Sequence, residues 1–284
     1  MTERIKVISE LGVNVQGSVD TAKRMIAASM ACGCDYVKFQ KRDVDTVFTK
    51  TELEKPRESP FGKTNGDLKR GLEFSYDEYK DIDRFCKEMG IPWFASAWDE
   101  YSVDFLCQFD VPFLKVASAS LTDKNLLHAM ASTGKPLIVS TGMSYLRTIK
   151  SAIREIEWAG GNIECIMHCV STYPADTDEL NLKGIETLKN EFPKYKIGYS
   201  GHEVSVPPTI MAMGMDVKYV ERHFTLDRSM WGSDQAASLE PRGMEKVVSA
   251  ARMWERARGD GKIEITENEK PIAEKLRRKD TLNA

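Results

Sequence analysis

The amino-acid sequence predicts an α/β protein built as a single-domain (β/α)8 barrel of the TIM type. Three observations carry that expectation. Short apolar runs rich in β-branched and aromatic residues alternate with longer amphipathic segments, eight times over, between about residues 5 and 258. Such alternation implies a parallel sheet covered by helices. The chain has 284 residues, and an α/β barrel runs to roughly 250 residues as one domain. The turn after the first run reads Glu10-Leu11-Gly12-Val13-Asn14-Val15-Gln16-Gly17. It lacks the G-x-G-x-x-G phosphate turn that a doubly wound nucleotide-binding sheet would place there.

The eight units follow in order. A strand at 5–12 carries Glu10, with Asn14 just beyond, and leads into a helix at 18–32. The strand at 36–40 holds Lys38 and Gln40. A long connection over 41–74, broken by Pro56, Pro60, Gly62, Gly66 and Gly71, precedes the helix at 75–89. The strand at 92–97 ends in Ser96, with Trp98 and Asp99 next, and a helix at 100–109. The strand at 113–118 holds Lys115 and Ser118, before a helix at 122–132. The strand at 136–141 ends in Ser140-Thr141-Gly142, before a helix at 144–159. The strand at 163–169 carries His168 and the loop Ser171-Thr172-Tyr173-Pro174, with a helix at 179–191. The strand at 195–200 leads into Ser200-Gly201-His202 and a helix at 204–214. The strand at 217–224 holds Glu221, Arg222 and His223, before a helix at 241–257. The barrel is thus expected over 1–258. The polar segment 259–284 reads as a solvated, linker-like tail. A connection as long as 41–74 in a compact domain is usually functional or mobile, which makes it a candidate lid.

Composition narrows the class further. The chain is 42% hydrophobic and 29% charged, with Lys+Arg 40 against Asp+Glu 43. That is an ordinary globular balance, with no basic surplus for nucleic acid or an acidic membrane surface. No apolar run reaches the ~18 residues of a membrane helix, and the first residues lack the pattern of a signal peptide. The six cysteines (32, 34, 86, 107, 165 and 169) form no C-x-x-C pair, so reduced, mostly buried thiols in the cytoplasm are expected.

Active sites of such barrels lie at the C-terminal strand ends, and here every strand delivers polar groups to that end. A lysine buried in a strand is costly unless paired. Two of them, Lys38 and Lys115, point to an anion in the barrel mouth, and Ser96, Ser118, Ser140 and Ser200 would suit a phosphate or carboxylate. The alternative is that each lysine is a paired structural group. His202 and His223, on adjacent strands, could share a divalent transition metal, or be two ordinary hydrogen-bonded histidines. Glu10 or Glu221 could serve as a base, or as a structural partner for Lys38, Lys115 or Arg222.

The same residues carry a resemblance. The chain resembles the sialic acid synthase (NeuB-like) family, which condenses phosphoenolpyruvate (PEP) with N-acetylmannosamine or related sugars. The matching stretches are Ile8-Ser9-Glu10-Leu11-Gly12-Val13-Asn14, Val37-Lys38-Phe39-Gln40, Phe113-Leu114-Lys115-Val116-Ala117-Ser118 and Ser140-Thr141-Gly142-Met143. They continue with His168-Cys169, Tyr173-Pro174, Ile197-Gly198-Tyr199-Ser200-Gly201-His202, Glu221-Arg222-His223-Phe224-Thr225 and Ser238-Leu239-Glu240-Pro241. The resemblance implies that Lys38, Ser96, Lys115, Ser118, Ser140, Ser171 and Ser200 bind PEP. It implies a divalent metal on His202 and His223, Mn2+ first, with Mg2+ or Co2+ as alternatives. Glu10 would be the catalytic carboxylate beside the metal, within a catalytic set of Glu10, Lys38, Lys115 and Glu221. Gln40, Tyr173 and Asp234 would face the sugar acceptor, with Asn14 also in the substrate-binding set. The implied partners are PEP and a sugar aldehyde, and a homo-oligomer, with no nucleic acid or membrane.

Three departures stand out. Ala119-Ser120 replaces the family's usual Gly-Glu or Gly-Asp, which leaves the sugar open. Ser96-Ala97-Trp98 replaces Thr-Pro-Phe. The chain ends near the linker to the C-terminal antifreeze-like (SAF) domain that many members carry, so that domain is expected to be absent. Two other classes stay open on the residues alone: a metal-dependent sugar isomerase or epimerase, and a non-catalytic regulatory paralogue.

Overall fold

A computed structural model describes residues 4–279. Eight parallel strands close into a barrel: β1 (Lys6–Glu10), β2 (Tyr36–Lys41), β5 (Trp93–Ala97), β6 (Leu114–Val116), β7 (Leu137–Ser140), β8 (Ile163–Cys169), β9 (Lys196–Gly201) and β10 (Tyr219–His223). The first and last strands seal it, with Glu10 in register with His223. The remaining strands, β3 (Pro56–Ser59) and β4 (Gly62–Thr64), form a separate antiparallel hairpin.

The period-two alternation of a strand sorts side chains into layers along the barrel axis. At the N-terminal end Tyr36, Phe94, Phe113 and Tyr219 meet edge to face, with ring centroids 5.4 to 6.2 Å apart. One step further along the same strands stand Lys38, Ser96, Lys115 and Glu221. The aromatic layer plugs the barrel, so only the far end can admit a ligand. Outward-facing residues pack under the helices. Phe39, Tyr79, Trp93, Phe105 and Phe109 form one such aromatic cluster, with Tyr79 and Trp93 stacked at 5.3 Å.

The covering helices are α1 (Val19–Ala31), α5 (Tyr76–Met89), α6 (Glu100–Leu106), α7 (Lys124–Ser132), α8 (Leu146–Trp158), α9 (Gly184–Glu191), α10 (Pro207–Gly214) and α11 (Pro241–Ala257). Ser18, Ser75, Asp99 and Asp123 each accept a backbone N–H at a helix start, which satisfies donors that the helix itself cannot. Two helices begin later than expected. Thr177–Glu179 forms a separate 3-10 turn ahead of α9. Pro207 and Pro208 occupy the first turn of α10, where a missing N–H costs nothing.

Residues 41–74 are an ordered insertion rather than a bare loop. They hold α2 (Val44–Val47), α3 (Lys50–Leu53), the β3–β4 hairpin and α4 (Asn65–Gly71). Asp43, Thr49 and Thr64 cap the three short helices. Glu73 ties the insertion back to β2 through Lys41 and Arg42, each at 3.3 Å. Its end rests on the β1–α1 turn, where Gly17 has φ +65 and a Cβ would lie 2.0 Å from the Gly71 carbonyl oxygen.

The N-terminal edge of β1 is held by the last barrel helix. Ile5 N–H donates to Glu255 at 2.7 Å, and Arg252 donates to the Ile5 carbonyl at 3.0 Å and pairs with Asp35 at 2.7 Å. Beyond α11 the described residues hold one further helix, α12 (Lys270–Leu276), with no buried residue, in the segment read as a solvated tail. Residues 280–284 of that segment lie outside the described residues. Cys32, Cys34, Cys86, Cys165 and Cys169 are buried thiols, whereas Cys107 is exposed. Among the described residues, no helix is long and apolar enough to cross a membrane.

Candidate active site

The cavity at the C-terminal strand ends is lined by Glu10, Lys38, Gln40, Ser96, Lys115, Ser118, Ser140, Ser171, Tyr173, Ser200, His202, Glu221 and His223. Its floor is a quartet of two ammoniums and two carboxylates. Lys38 Nζ lies 2.6 Å from Glu10 Oε2 and 3.7 Å from Glu221 Oε1, and Lys115 Nζ lies 2.7 Å from Glu221 Oε2. All four are at least 95% buried. Burial opposes charge on Lys38, but Glu10 and Glu221 outweigh it and raise its pKa. Burial likewise opposes ionisation of Glu221, and the Lys115 and Lys38 ammoniums override it, holding that carboxyl well below the usual range. The lysines are therefore paired in this structure and face the cavity, Lys38 shared among Glu10, Glu221 and Ser96, and Lys115 held by Glu221.

Hydroxyls ring the quartet. Lys38 donates to Ser96 at 3.1 Å, and Ser200 donates to Glu221 at 3.3 Å. Ser118 accepts from the Gly142 N–H at 3.1 Å and lies 3.1 Å from the Cys169 thiol. Gln40 donates to Glu10 at 2.8 Å. This is a concave, donor-rich surface with two cations, suited to an anion with both phosphate and carboxylate oxygens.

On one side stand the two histidines, their ring centroids 5.4 Å apart. His202 bonds through Nδ1 to the Val170 carbonyl and through Nε2 to the Tyr173 hydroxyl at 3.2 Å. The Nδ1 bond to a carbonyl makes Nδ1 the donor, so Nε2 accepts from the Tyr173 hydroxyl, and its lone pair reaches a metal only when that hydroxyl turns away. Burial, reinforced by His223, lowers the His202 pKa to about 3, so this imidazole is neutral and fit to ligate. His223 Nδ1 is buried with no hydrogen-bond partner, 3.6 Å from Asp234 Oδ2. A neutral imidazole oriented by a backbone carbonyl, next to an orphaned imidazole nitrogen, fits two ligands of a divalent metal. Among the described residues no group of three or more His, Cys, Asp or Glu converges on one point, so the remaining positions of such an ion would fall to substrate or solvent.

Two residues from the expected set stand apart from the cavity lining. Asn14 is carried below it by the 3-10 turn Gly12–Val15. Its amide donates to the Phe224 carbonyl at 2.9 Å and to Ser238 at 2.7 Å, so its visible work is to hold the segment after β10. Asp234 stands behind His223 on that segment. His168, the other strand-end histidine, turns outward and bonds the Leu180 carbonyl at 2.9 Å.

The cavity wall also holds two residues named from the sequence only as neighbours of the strand ends, and beside them stands one, Arg42, that the strand pattern did not pick out. Trp98 and Met143 line it, and Arg42, buried at the rim, stacks its guanidinium 4.8 Å from the Trp98 ring and donates to Gln40. The Gln40-Lys41-Arg42 run at the end of β2 was the available signal.

Comparison with known proteins decides the lineage. The family model described as the NeuB family matches residues 25–263. The chain belongs to the NeuB family. N-acetylneuraminate-9-phosphate synthase of Homo sapiens is 39% identical to this NeuB-family chain over 272 residues, spanning 95% of the chain and 76% of that protein. N,N'-diacetyllegionaminic acid synthase of Legionella pneumophila is 35% identical over 284 residues, 97% and 79% of the two chains. Among solved structures, the N-acetylneuraminic acid synthetase of Leptospira borgpetersenii, in complex with citrate, superposes with a TM-score of 0.85. It is 26% identical and is matched over 98% of this chain and 94% of that one. The family and the single-domain barrel expected from the sequence are both borne out.

Proposed function

We propose that the chain condenses PEP with a sugar aldehyde, N-acetylmannosamine or a close relative, to give a sialic-acid-like 3-deoxy-ulosonic acid and inorganic phosphate. The observation that carries this reading is the pair of buried ammoniums, Lys38 and Lys115, facing one serine-lined cavity from the same layer of the barrel. Family membership and the names of the relatives support it.

Lys38 and Lys115, with Ser96, Ser118, Ser140, Ser171 and Ser200, would bind the phosphate and carboxylate of PEP. C3 of PEP then attacks the acceptor carbonyl carbon, forming the C–C bond while the carbonyl oxygen takes a proton. Water adds at the cationic C2 and loses a proton. The new C2 hydroxyl then gives up its proton as the C2–O bond to the phosphoryl group breaks, which releases phosphate and leaves a keto group. Glu10 and Glu221 are the carboxylates in reach of that chemistry, and Glu10 is our choice to move a proton. Gln40 and Tyr173 would orient the acceptor, with Asp234 behind them. His202 and His223 would hold a divalent ion, Mn2+ first and Mg2+ or Co2+ as alternatives, which when bound supplies Lewis-acid polarisation of the aldehyde. Asn14 would support the site by holding the segment after β10, and the insertion over 41–74 would shape the rim. The reading places the enzyme in the cytoplasm, where PEP is made, as a homo-oligomer.

The test is phosphate release that requires PEP, a sugar aldehyde and Mn2+ together. The panel covers hexosamines with and without N-acyl groups, and with and without a phosphate at the far carbon. Silence across the whole panel would overturn the reading. Stabilisation by PEP alone separates it from an isomerase: at about 100 times its dissociation constant, PEP adds about 2.7 kcal/mol, whereas an isomerase would ignore it.

A further inference from the structure

On the outer face of the barrel, behind the histidine-bearing strand ends, lies a second ion pair that the chemistry above does not use. Arg222 is fully buried, and Glu203 is 1% exposed. Arg222 Nη1 donates to Glu203 Oε1 at 3.0 Å, to the Ser205 carbonyl at 3.0 Å and to Thr209 Oγ1 at 2.8 Å, and Nη2 donates to the Glu203 carbonyl. Glu203 accepts further from Thr209 at 2.8 Å and from Tyr199 at 2.9 Å. A buried ion pair is poor evidence for stability by itself, because desolvation offsets much of its attraction. Its position suggests a different role.

Arg222 directly precedes His223, and Glu203 directly follows His202. Alternation along a strand sends one of each neighbouring pair inward and the other outward. The guanidinium and carboxylate thus bind to each other behind the sheet while the two imidazoles face the cavity. The guanidinium also gathers the carbonyls of Glu203 and Ser205, which pins the chain as it leaves β9. The carboxylate folds back over Gly201, where an added Cβ would lie 2.5 Å from Glu203 Oε2, so the sequence Gly201-His202-Glu203 is shaped to this contact.

We propose that the Arg222–Glu203 pair is the positioning device for the two histidines, setting the direction and separation of their imidazoles and hence affinity for a divalent cation. This rests on the reading of His202 and His223 as metal ligands. Partners hydrogen-bonded directly to a metal's ligands typically change its affinity about 10- to 100-fold when altered, and this pair acts on the histidines through the adjoining backbone.

The experiment measures Mn2+ binding by the electron paramagnetic resonance of the free ion, and PEP binding without metal by calorimetry. The proteins are the full chain and its Thr209→Val and Arg222→Lys variants. Thr209→Val removes the hydroxyl shared by both partners and leaves the charges in place, so it remains informative if Arg222→Lys does not fold. The expected result is Mn2+ affinity weakened about tenfold or more in each folded variant, with metal-free PEP affinity within twofold of the parent. Unchanged Mn2+ affinity in a folded variant overturns the proposal. So does an equal loss of Mn2+ and PEP affinity, which marks general loosening. Failure of the unsubstituted chain to bind Mn2+ overturns the ligand assignment itself, and the proposal with it.

Discussion

Lys115 concentrates the chemistry of the site in one side chain. Its ammonium lies 2.7 Å from Glu221 and faces the cavity. Replacing it by methionine removes the charge while keeping most of the volume, and leaves Glu221 with Lys38 as its remaining cation, at 3.7 Å. Loss of one partner of a buried charge pair costs about 2–5 kcal/mol. Lys115→Met should therefore lower kcat/KM for PEP by about 100-fold or more, which initial-rate kinetics will read. His168 gives a test in pH. Burial lowers its pKa below the ordinary 6.5, against the opposing pull of carbonyl contacts. The unfolded chain therefore binds a proton below about pH 6.5 that the folded chain refuses, so stability falls as pH falls through and below 6.5. The contribution of this one group to the slope is at most about 1.4 kcal/mol per pH unit. Urea unfolding between pH 7.5 and 5.5, with chelator present, should show a shallower pH dependence in His168→Gln than in the parent. Equal slopes would mean that folding leaves proton binding at His168 unchanged. The residues of the quartet were legible because charged side chains inside apolar strands stand out. Asn14 was not, since nothing local reveals that the 3-10 turn aims it at Phe224 and Ser238.

At the scale of the element, the insertion between β2 and α5 departs most from what its sequence suggests. Prolines and glycines read as breaks, yet α2 and α3 are helices of four residues each, too short to show a hydrophobic period. Their order comes from caps and from tertiary anchors: Glu73 with Lys41 and Arg42, and the contact of Gly17 with Gly71. A mobile lid is not what these contacts describe. Gly17→Ala meets both a positive φ and a backbone oxygen, so it should push the insertion off the β1–α1 turn at a cost of about 1–3 kcal/mol. Because Arg42, at the start of the insertion, packs on the cavity-lining Trp98 and Gln40, the acceptor KM should rise several-fold while the PEP KM stays near its parent value. Chemical denaturation and two-substrate kinetics check the two halves. The barrel strands, by contrast, were readable to within two residues at each end, because each is an apolar run bounded by a polar strand end. The stacking of Arg42 on Trp98 was not, since it joins residues from different units and depends on how β2 and β5 pair.

For the molecule as a whole, closure decides the site. Glu10 and Lys38 come from the first two strands of the chain and Glu221 from the last, so the quartet exists only when β1 docks on β10. The same seam brings Ile5 against Glu255 and Arg252 at the other end of the barrel. The start of the first strand and the end of the last barrel helix are therefore neighbours. The order in which the eight units are strung is then a matter of where the chain happens to be cut. A circular permutant that joins residue 257 to residue 4 by a flexible linker, and opens at Gly160-Gly161 on the face away from the cavity, should unfold in one cooperative step. It should also retain the thermal shift produced by PEP. Loss of that shift in a folded permutant would mean that covalent continuity from β7 to β8, and not only their pairing, holds the floor of the site together.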